Sequence, residues 1–276
     1  MESFKGMHPP RPFLSIVIPF YNEAENLGLL ITELDLVLGD LGISAEILLV
    51  NDGSTDFFDR PATTPRFPIR WIDLDRHSGQ SAAIYFGIQQ ARGMVIGLMD
   101  ADLQNDPADL PRLLETLARE EVHLVTGFRQ RRFDSWTRRF TSKIANCVRS
   151  FLLKDQTRDT GCSLKVLRRE LAVRLPGWDG MHRFIPSLAV AMGFRVAELP
   201  VHHRPRRFGK SKVRPFRRAW KATIDLLGVL WLSRRQFQAR ALEKGNPDPL
   251  SEFGEEVARA HEPAISPPCQ GKVGTE

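Results

Sequence analysis

Apolar positions along the chain follow two rhythms. Short runs rich in branched aliphatic residues occur at 13–19, 45–51, 70–74, 94–99 and 122–126, and each reads as a buried strand. Pro19 is expected to stop the first of them. Between the strands the spacing changes. Leu27, Leu30, Ile31, Leu34 and Val37 fall on one helical face, with Asn22 as a candidate cap. Further helices are expected over 80–91 and 107–120. The second strand runs into Asp52-Gly-Ser-Thr-Asp56, a loop rich in turn formers.

Strand–helix alternation over the first half predicts an α/β fold with a mostly parallel central sheet and helices on both faces. Ligands of such sheets bind beyond the carboxyl ends of the strands, which here carry Asn51-Asp52 and Asp100-Ala-Asp102. The second half is less regular. A helix over 137–153, a strand or loop over 159–166, a helix over 185–192 and a strand over 194–201 are expected. Residues 216–237 read as an amphipathic helix with Trp220, Leu227 and Trp231 on its apolar side. That helix suits either a membrane interface or ordinary core packing.

Composition narrows the function classes. The chain has 276 residues, 42% of them hydrophobic, enough for a sizeable core. Its three cysteines, Cys147, Cys162 and Cys269, have no CxxC spacing, which argues against a disulfide framework or thiolate zinc site and suits a reducing cytosol. Residues 1–11 lack the apolar run of a signal peptide and read as a flexible N-terminus. The longest nearly apolar stretch, 222–232, includes Asp225 and falls far short of the roughly twenty residues of a bilayer span.

The formal charge is +6 and unevenly spread. Residues 241–276 read as a disordered acidic tail; from 245 onward six acids face two bases. The basic excess gathers in Arg204, Arg206, Arg207, Lys210, Lys212, Arg214, Arg217, Arg218 and Lys221, with no acid between Glu198 and Asp225. Such a block usually meets a polyanion (nucleic acid, an anionic membrane face or a phosphorylated ligand), with a merely solvated run as the alternative.

The sharpest chemical signal is Asp100-Ala-Asp102 with Gln104 two residues on. Two carboxylates and an amide oxygen offer hard ligands for Mg²⁺ or Mn²⁺, and a cation there can neutralise a departing diphosphate. The same triplet can also be a polar turn opening the helix at Pro107. Asp52 can accept hydrogen bonds from a base or ribose, or close an Asx turn. Pro19 to Glu23 can wall a nucleotide pocket, or cap a helix.

Four segments, Ser15-Ile-Val-Ile-Pro-Phe-Tyr-Asn-Glu23, Val50-Asn-Asp-Gly-Ser-Thr-Asp56, His77-Ser-Gly-Gln80 and Asp100-Ala-Asp-Leu-Gln104, occur in the order seen in family 2 glycosyltransferases. Three later ones, Asp159-Thr-Gly-Cys162, His182-Arg-Phe184 and Arg207-Phe-Gly-Lys-Ser-Lys212, resemble the dolichol-phosphate mannosyltransferase and bacterial polyprenyl-phosphate glycosyltransferase branch. The likeness spans residues 12–235. It implies a GT-A fold over 12–212, a UDP- or GDP-sugar donor and a divalent cation. Pro19, Tyr21, Glu23, Asp52 and Gln80 would line the nucleotide pocket, with Asp100 near the ribose or sugar. Asp100, Asp102 and Gln104 would hold Mg²⁺ or Mn²⁺ and the diphosphate. Arg129, Arg207, Ser211 and Lys212 would face phosphates, and Asp100, Asp102, Arg207 and Lys212 would carry the chemistry. Two departures stand out. Residues 213–240 replace the transmembrane helices of many relatives, and Cys162 stands where serine is frequent.

The expected activity is inverting transfer of one sugar to a polyprenyl phosphate, by an enzyme peripheral to the cytoplasmic face of the membrane, with room for an integral membrane partner. A lipid phosphate is already a nucleophile, so no strong general base is required, and His182, His202 and His203 are expected to be structural. A hydroxyl acceptor is the alternative. Nucleic-acid binding is disfavoured, because it leaves Asp100 and Asp102 unexplained and their charge would repel a phosphate backbone.

Overall fold

The computed structural model describes residues 11–56, 66–129, 149–150, 152–153, 155, 157–205 and 215–235. Side chains of the last segment are described from 223 onward. The helix expected over 137–153, most of the basic block and the acidic tail thus lie largely or wholly outside the described residues.

The strands are β1 (Leu14–Phe20), β2 (Ala45–Asn51), β3 (Ile69–Asp73), β4 (Val95–Leu98), β5 (Leu124–Arg129), β6 (Lys165–Arg168) and β7 (Val196–Val201). They form one sheet of order β3-β2-β1-β4-β6-β5-β7. Every neighbouring pair is parallel except those of β6, which runs antiparallel to both β4 and β5. From β1 the chain builds outward to β3, then returns to the other side of β1 for β4. That reversal is the topological switch, and it leaves a crevice beyond the carboxyl ends of β1 and β4.

Alternation along the strands divides the core. Leu14, Ile16 and Ile18 of β1, with Ile47 and Leu49 of β2, face one apolar cluster; Val17, Leu48 and Val50 face the other. The first cluster is covered by α1 (Ala24–Leu41) and α3 (Leu110–Arg119). The second is covered by α2 (Gln80–Gln90), α4 (Arg169–Ala172), α5 (Ile185–Ala191) and α6 (Pro215–Ser233). Leu27, Leu30, Ile31 and Leu34 of α1 are buried as the spacing predicts, and the stripe continues through Leu38 and Leu41.

Three local expectations are corrected. Pro19 does not stop β1, which continues to Phe20. The Met99 N–H already closes on Val17 O at 3.2 Å where β4 pairing ends, so a proline two residues later breaks no ladder bond on that side. Asn22 does not cap α1: the helix begins after Glu23, and the Ala24 N–H donates instead to Asp56 Oδ2 at 3.0 Å. Asn22, at φ 54°, joins two strand-end loops, its Oδ1 accepting the Thr55 N–H at 2.7 Å and the Asp56 N–H at 3.3 Å. The helix expected over 107–120 is two elements, a 3-10 turn at Pro107–Asp109 followed by α3.

At the opposite end of the strands a polar knot is centred on two buried residues, Ser15 and Glu46. Glu46 accepts the Ser15 hydroxyl at 2.6 Å, the Arg92 N–H at 2.8 Å and Arg70 Nη1 at 3.2 Å, while Ser15 Oγ accepts the Gly93 N–H at 2.8 Å. This knot fixes the turn between α2 and β4. Glu46→Ala removes the shared acceptor and leaves the buried Ser15 hydroxyl without its partner, while Arg70 keeps Gln90 O and the Arg92 N–H keeps Ser15 Oγ, and the expected cost is about 2 kcal/mol in denaturant unfolding. A cost near zero would mean the knot is dispensable.

Candidate active site

Four loops meet at the crevice: those after β1, β2 and β4, and the Arg76–Gly79 segment that leads into α2. Asp52, 2% exposed, binds that segment together. Its Oδ1 accepts the Ser78 N–H at 2.7 Å and its Oδ2 the Gly79 N–H at 2.8 Å, and Oδ2 lies 2.9 Å from His77 Nδ1. Gly53 (φ 68°) allows the close approach, since a Cβ there would lie 2.7 Å from the His77 backbone nitrogen. Tyr21 stacks on the His77 ring with centroids 4.0 Å apart. Glu23 accepts from Asn26 Nδ2 at 2.5 Å. Tyr21 and Asp52 thus meet at His77, while Pro19 and Glu23 lie in the same β1-end segment as Tyr21.

Asp100 and Asp102 follow β4 at the switch point. Gln80, the first residue of α2, donates its Nε2–H to Asp100 Oδ1 at 2.6 Å. The Asp100 carboxyl is pushed up from its ordinary 3.8 to about 6, first by burial and then by the neighbouring charge of Asp102; Ser163, Lys165 and Gln80 oppose the shift. Asp102, 7% exposed, accepts the Gln104 N–H on Oδ1 at 3.1 Å. The Gln104 amide nitrogen faces Arg204 O at 3.4 Å, tying the loop to the end of β7.

Among the described residues no cluster of three or more His, Cys, Asp or Glu forms a closed metal cage. A carboxylate whose charge burial disfavours, Asp100, crowded by a second, Asp102, is nonetheless a setting that a divalent cation relieves. Mg²⁺ commonly takes one or two protein carboxylates and completes its shell with substrate phosphates and water. Asp100 and Asp102 fit that mode.

Beside Asp100 lies a pocket of about 140 Å³ lined by residues including Gln80, Ser163, Lys165, His182 and Arg183. Lys165 was not singled out from the sequence. It is fully buried and pairs across from Leu98 in the antiparallel register, which places a cation beside Asp100; burial in turn pushes its own pKa down. Its ammonium donates to Cys162 O. Ser81 and Arg183 were also missed, although His182-Arg183 lies in a motif. The Ser81 hydroxyl bonds His182 Nδ1 at 2.6 Å and accepts the Gly180 N–H at 2.9 Å. Cys162 is buried in the core, packed toward Gly127. A larger cavity of about 830 Å³ opens among Arg11, Glu46, Arg70, Arg92 and Arg169, at the amino ends of the strands and away from the carboxylates.

Several cations expected to face phosphates are otherwise engaged or lie outside the described residues. Arg129 makes a two-point ion pair with Asp159, at 2.7 Å from Nε and 3.0 Å from Nη2. Arg204 binds Glu33 and Asp106, each at 2.7 Å, so this member of the basic block serves the fold. Arg207, Ser211 and Lys212 lie outside the described residues. His202 pairs with Asp109 at 3.0 Å, a structural role as expected.

With this geometry in place, comparison with known proteins identifies the class. Residues 15–175 match the Glycosyl transferase family 2 model, more than half of the chain. The chain belongs to that family and is a glycosyltransferase. Among its relatives is the dodecaprenyl-phosphate galacturonate synthase of Rhizobium johnstonii, 34% identical over 243 residues that cover 85% of this chain and 72% of the relative. The fold is also that of glucosyl-3-phosphoglycerate synthase from Mycobacterium tuberculosis. Its complex with Mn²⁺, UDP and glucosyl-3-phosphoglycerate superposes with a TM-score of 0.58 at 17% identity, covering 80% of each chain. Its complex with Mg²⁺ and UDP gives 0.60 at 17% identity, covering 80% of this chain and 79% of that one. The architecture is therefore GT-A-like.

The raised Asp100 pKa has a definite sign. The folded chain holds this proton more tightly than the unfolded chain, so the group favours folding more as pH falls from about 6 toward 3.8. A cation requires the carboxylate and is favoured in the other direction. Calorimetric titration of Mn²⁺ with UDP present should show affinity falling about tenfold per pH unit below the Asp100 pKa, with proton release on binding. A pH-independent affinity between 5 and 7, the ~2-unit window of that titration, would remove Asp100 from the ligand set.

Proposed function

We propose that this glycosyltransferase moves one sugar, with inversion, from a UDP- or GDP-sugar to a polyprenyl phosphate at the cytoplasmic membrane face. The observation that carries the reading is the carboxylate pair Asp100 and Asp102 at the topological switch, opening onto a small pocket lined by the buried Lys165 and the partly buried Arg183. A phosphate oxygen of the acceptor attacks the anomeric carbon, and the bond from that carbon to the nucleoside diphosphate breaks. A divalent cation held by Asp100 and Asp102 with the diphosphate would supply charge neutralisation of the leaving group.

The protein's own groups do the rest. Asp52 holds the 76–79 segment that, with Tyr21, borders the nucleotide. Gln80, Ser163 and Lys165 keep Asp100 in place and favour its charged form. In this reading Arg207, Ser211 and Lys212 face the two phosphates, and Gln104 takes part in holding the cation. Two mutually repelling phosphates in line need positioning and electrostatic stabilisation more than they need a base. The relative's name supports a lipid phosphate acceptor.

The lipid must be reached from outside the bilayer, and α6 suits this task. No described helix is long and apolar enough to cross a membrane. Leu227 and Trp231, expected on the apolar side of the helix, are 58% and 60% exposed and align with Ile224 at 55%. Val229, 2% exposed, and the partly buried Leu226 and Leu230 form the opposite face, packed on the core. Trp220 belongs to the part of α6 whose side chains lie outside the described residues. Arg235 stacks over Trp231 at 5.2 Å, giving the exposed stripe a cationic edge suited to anionic headgroups.

Two outcomes test the reading. Asp102→Asn keeps an oxygen for the Gln104 N–H and so should keep the fold, while label transfer from donor into the organic phase drops by about a hundredfold or more. Retained transfer would sink the assignment of Asp102. Replacing Ile224, Leu227 and Trp231 with serine should abolish co-sedimentation with phosphatidylglycerol vesicles. Undiminished co-sedimentation would place the membrane contact elsewhere.

A further inference from the structure

Arg183 ends a 3-10 turn, Met181–Arg183, and lines the pocket beside Asp100 and Gln80. Its guanidinium is held from α6: Nη2 donates to Asp225 Oδ2 at 3.3 Å, the two side chains being 19% and 10% exposed. Its Nε–H is buried and has no acceptor among the described residues. Buried donors are nearly always satisfied, so this orphan marks a guanidinium whose position is set by something other than its own hydrogen-bond count. Arginine suits this arrangement because its donors form a rigid fork, and fixing one arm aims the others.

The backbone is shaped around the pair. Gly180 has φ 114°, and a Cβ there would lie 2.7 Å from Asp225 Oδ2 and 3.1 Å from Arg183 Nη2. Its N–H is anchored by Ser81, the residue after Gln80. The carboxylate of α6 therefore packs directly on the turn that supplies Arg183, and this turn is fastened to the helix that supplies Gln80.

We propose that Asp225 is a positioning residue for sugar transfer, fixing the Arg183 guanidinium at the wall of the pocket beside Asp100, where the sugar moiety of the bound donor is held. The inference rests on the sugar-transfer reading and deepens it. The same helix then does two things: its outer face, with Leu227 and Trp231, meets the lipid surface, and its inner face completes the sugar pocket.

The test uses the full chain, a labelled nucleotide-sugar that the wild type transfers, and a short water-soluble polyprenyl phosphate. If the wild type transfers no sugar from any UDP- or GDP-sugar, both the function and this inference fall. If it does, Asp225→Asn should lower kcat/KM for the donor by about tenfold to a hundredfold with the acceptor KM unchanged. Asp225→Glu should recover most of that loss, and Arg183→Gln combined with Asp225→Asn should be no worse than Arg183→Gln alone. Wild-type donor kinetics in Asp225→Asn would overturn the positioning role while leaving the function standing. Losses that add in the double variant, or that follow a fall in Tm and are not recovered by glutamate, would also overturn it. Should Asp225→Asn fail to fold, Asp225→Glu and Arg183→Gln decide the matter. Normal donor kinetics in Arg183→Gln refutes the inference.

Discussion

Much of this structure follows from the need to keep two neighbouring carboxylates together, half-withdrawn from water, at the end of a parallel strand. Burial and the charge of Asp102 both push the Asp100 proton affinity up, and only specific partners hold it down. Those partners come from different parts of the chain. Gln80 arrives from the start of α2, and Ser163 and Lys165 from the segment entering β6. The one antiparallel strand of the sheet is what makes the last two available: running against β4, it brings its first residue opposite Leu98, next to the carboxylate. A parallel strand at that position would present its amino end at the far side of the sheet.

Local patterning made most of the framework readable. Runs of branched apolar residues located β1 to β4 to within a residue and β5 to within three, and the stripe from Leu27 to Leu34 located α1. The position of Asp100-Ala-Asp102 after such a run points to the carboxyl ends of the strands. What stayed hidden depended on contacts between distant segments. Lys165 reads as an ordinary strand residue until the antiparallel register is known. Arg204 looks like part of a phosphate-binding block until Glu33 and Asp106 are found beside it. Asn22 has the composition of a cap, yet its amide binds a loop more than thirty residues away. Pro19 shows the reverse failure: a residue that usually ends strands is harmless where pairing on its side has already finished.

The α6 helix explains why amphipathicity alone left two readings open. Core packing and interfacial exposure are usually alternatives for one apolar face, but here they occupy two. Asp225, Leu226, Val229 and Leu230 turn inward, while Ile224, Leu227 and Trp231 turn outward, and the whole circumference carries apolar residues as a result. The partly buried Arg183–Asp225 pair favours this rotation of the helix, since a carboxylate and a guanidinium largely withdrawn from water favour being together.

The central claim is that Asp100 and Asp102 form a cation seat that is completed by a nucleoside diphosphate. Electron paramagnetic resonance of Mn²⁺, with and without UDP, tests it most directly. The account predicts that Mn²⁺ stays largely free with protein alone, becomes immobilised when UDP is added, and is released again in Asp102→Asn. Tight Mn²⁺ binding without nucleotide, or UDP binding that is indifferent to the metal and to Asp102, would contradict it.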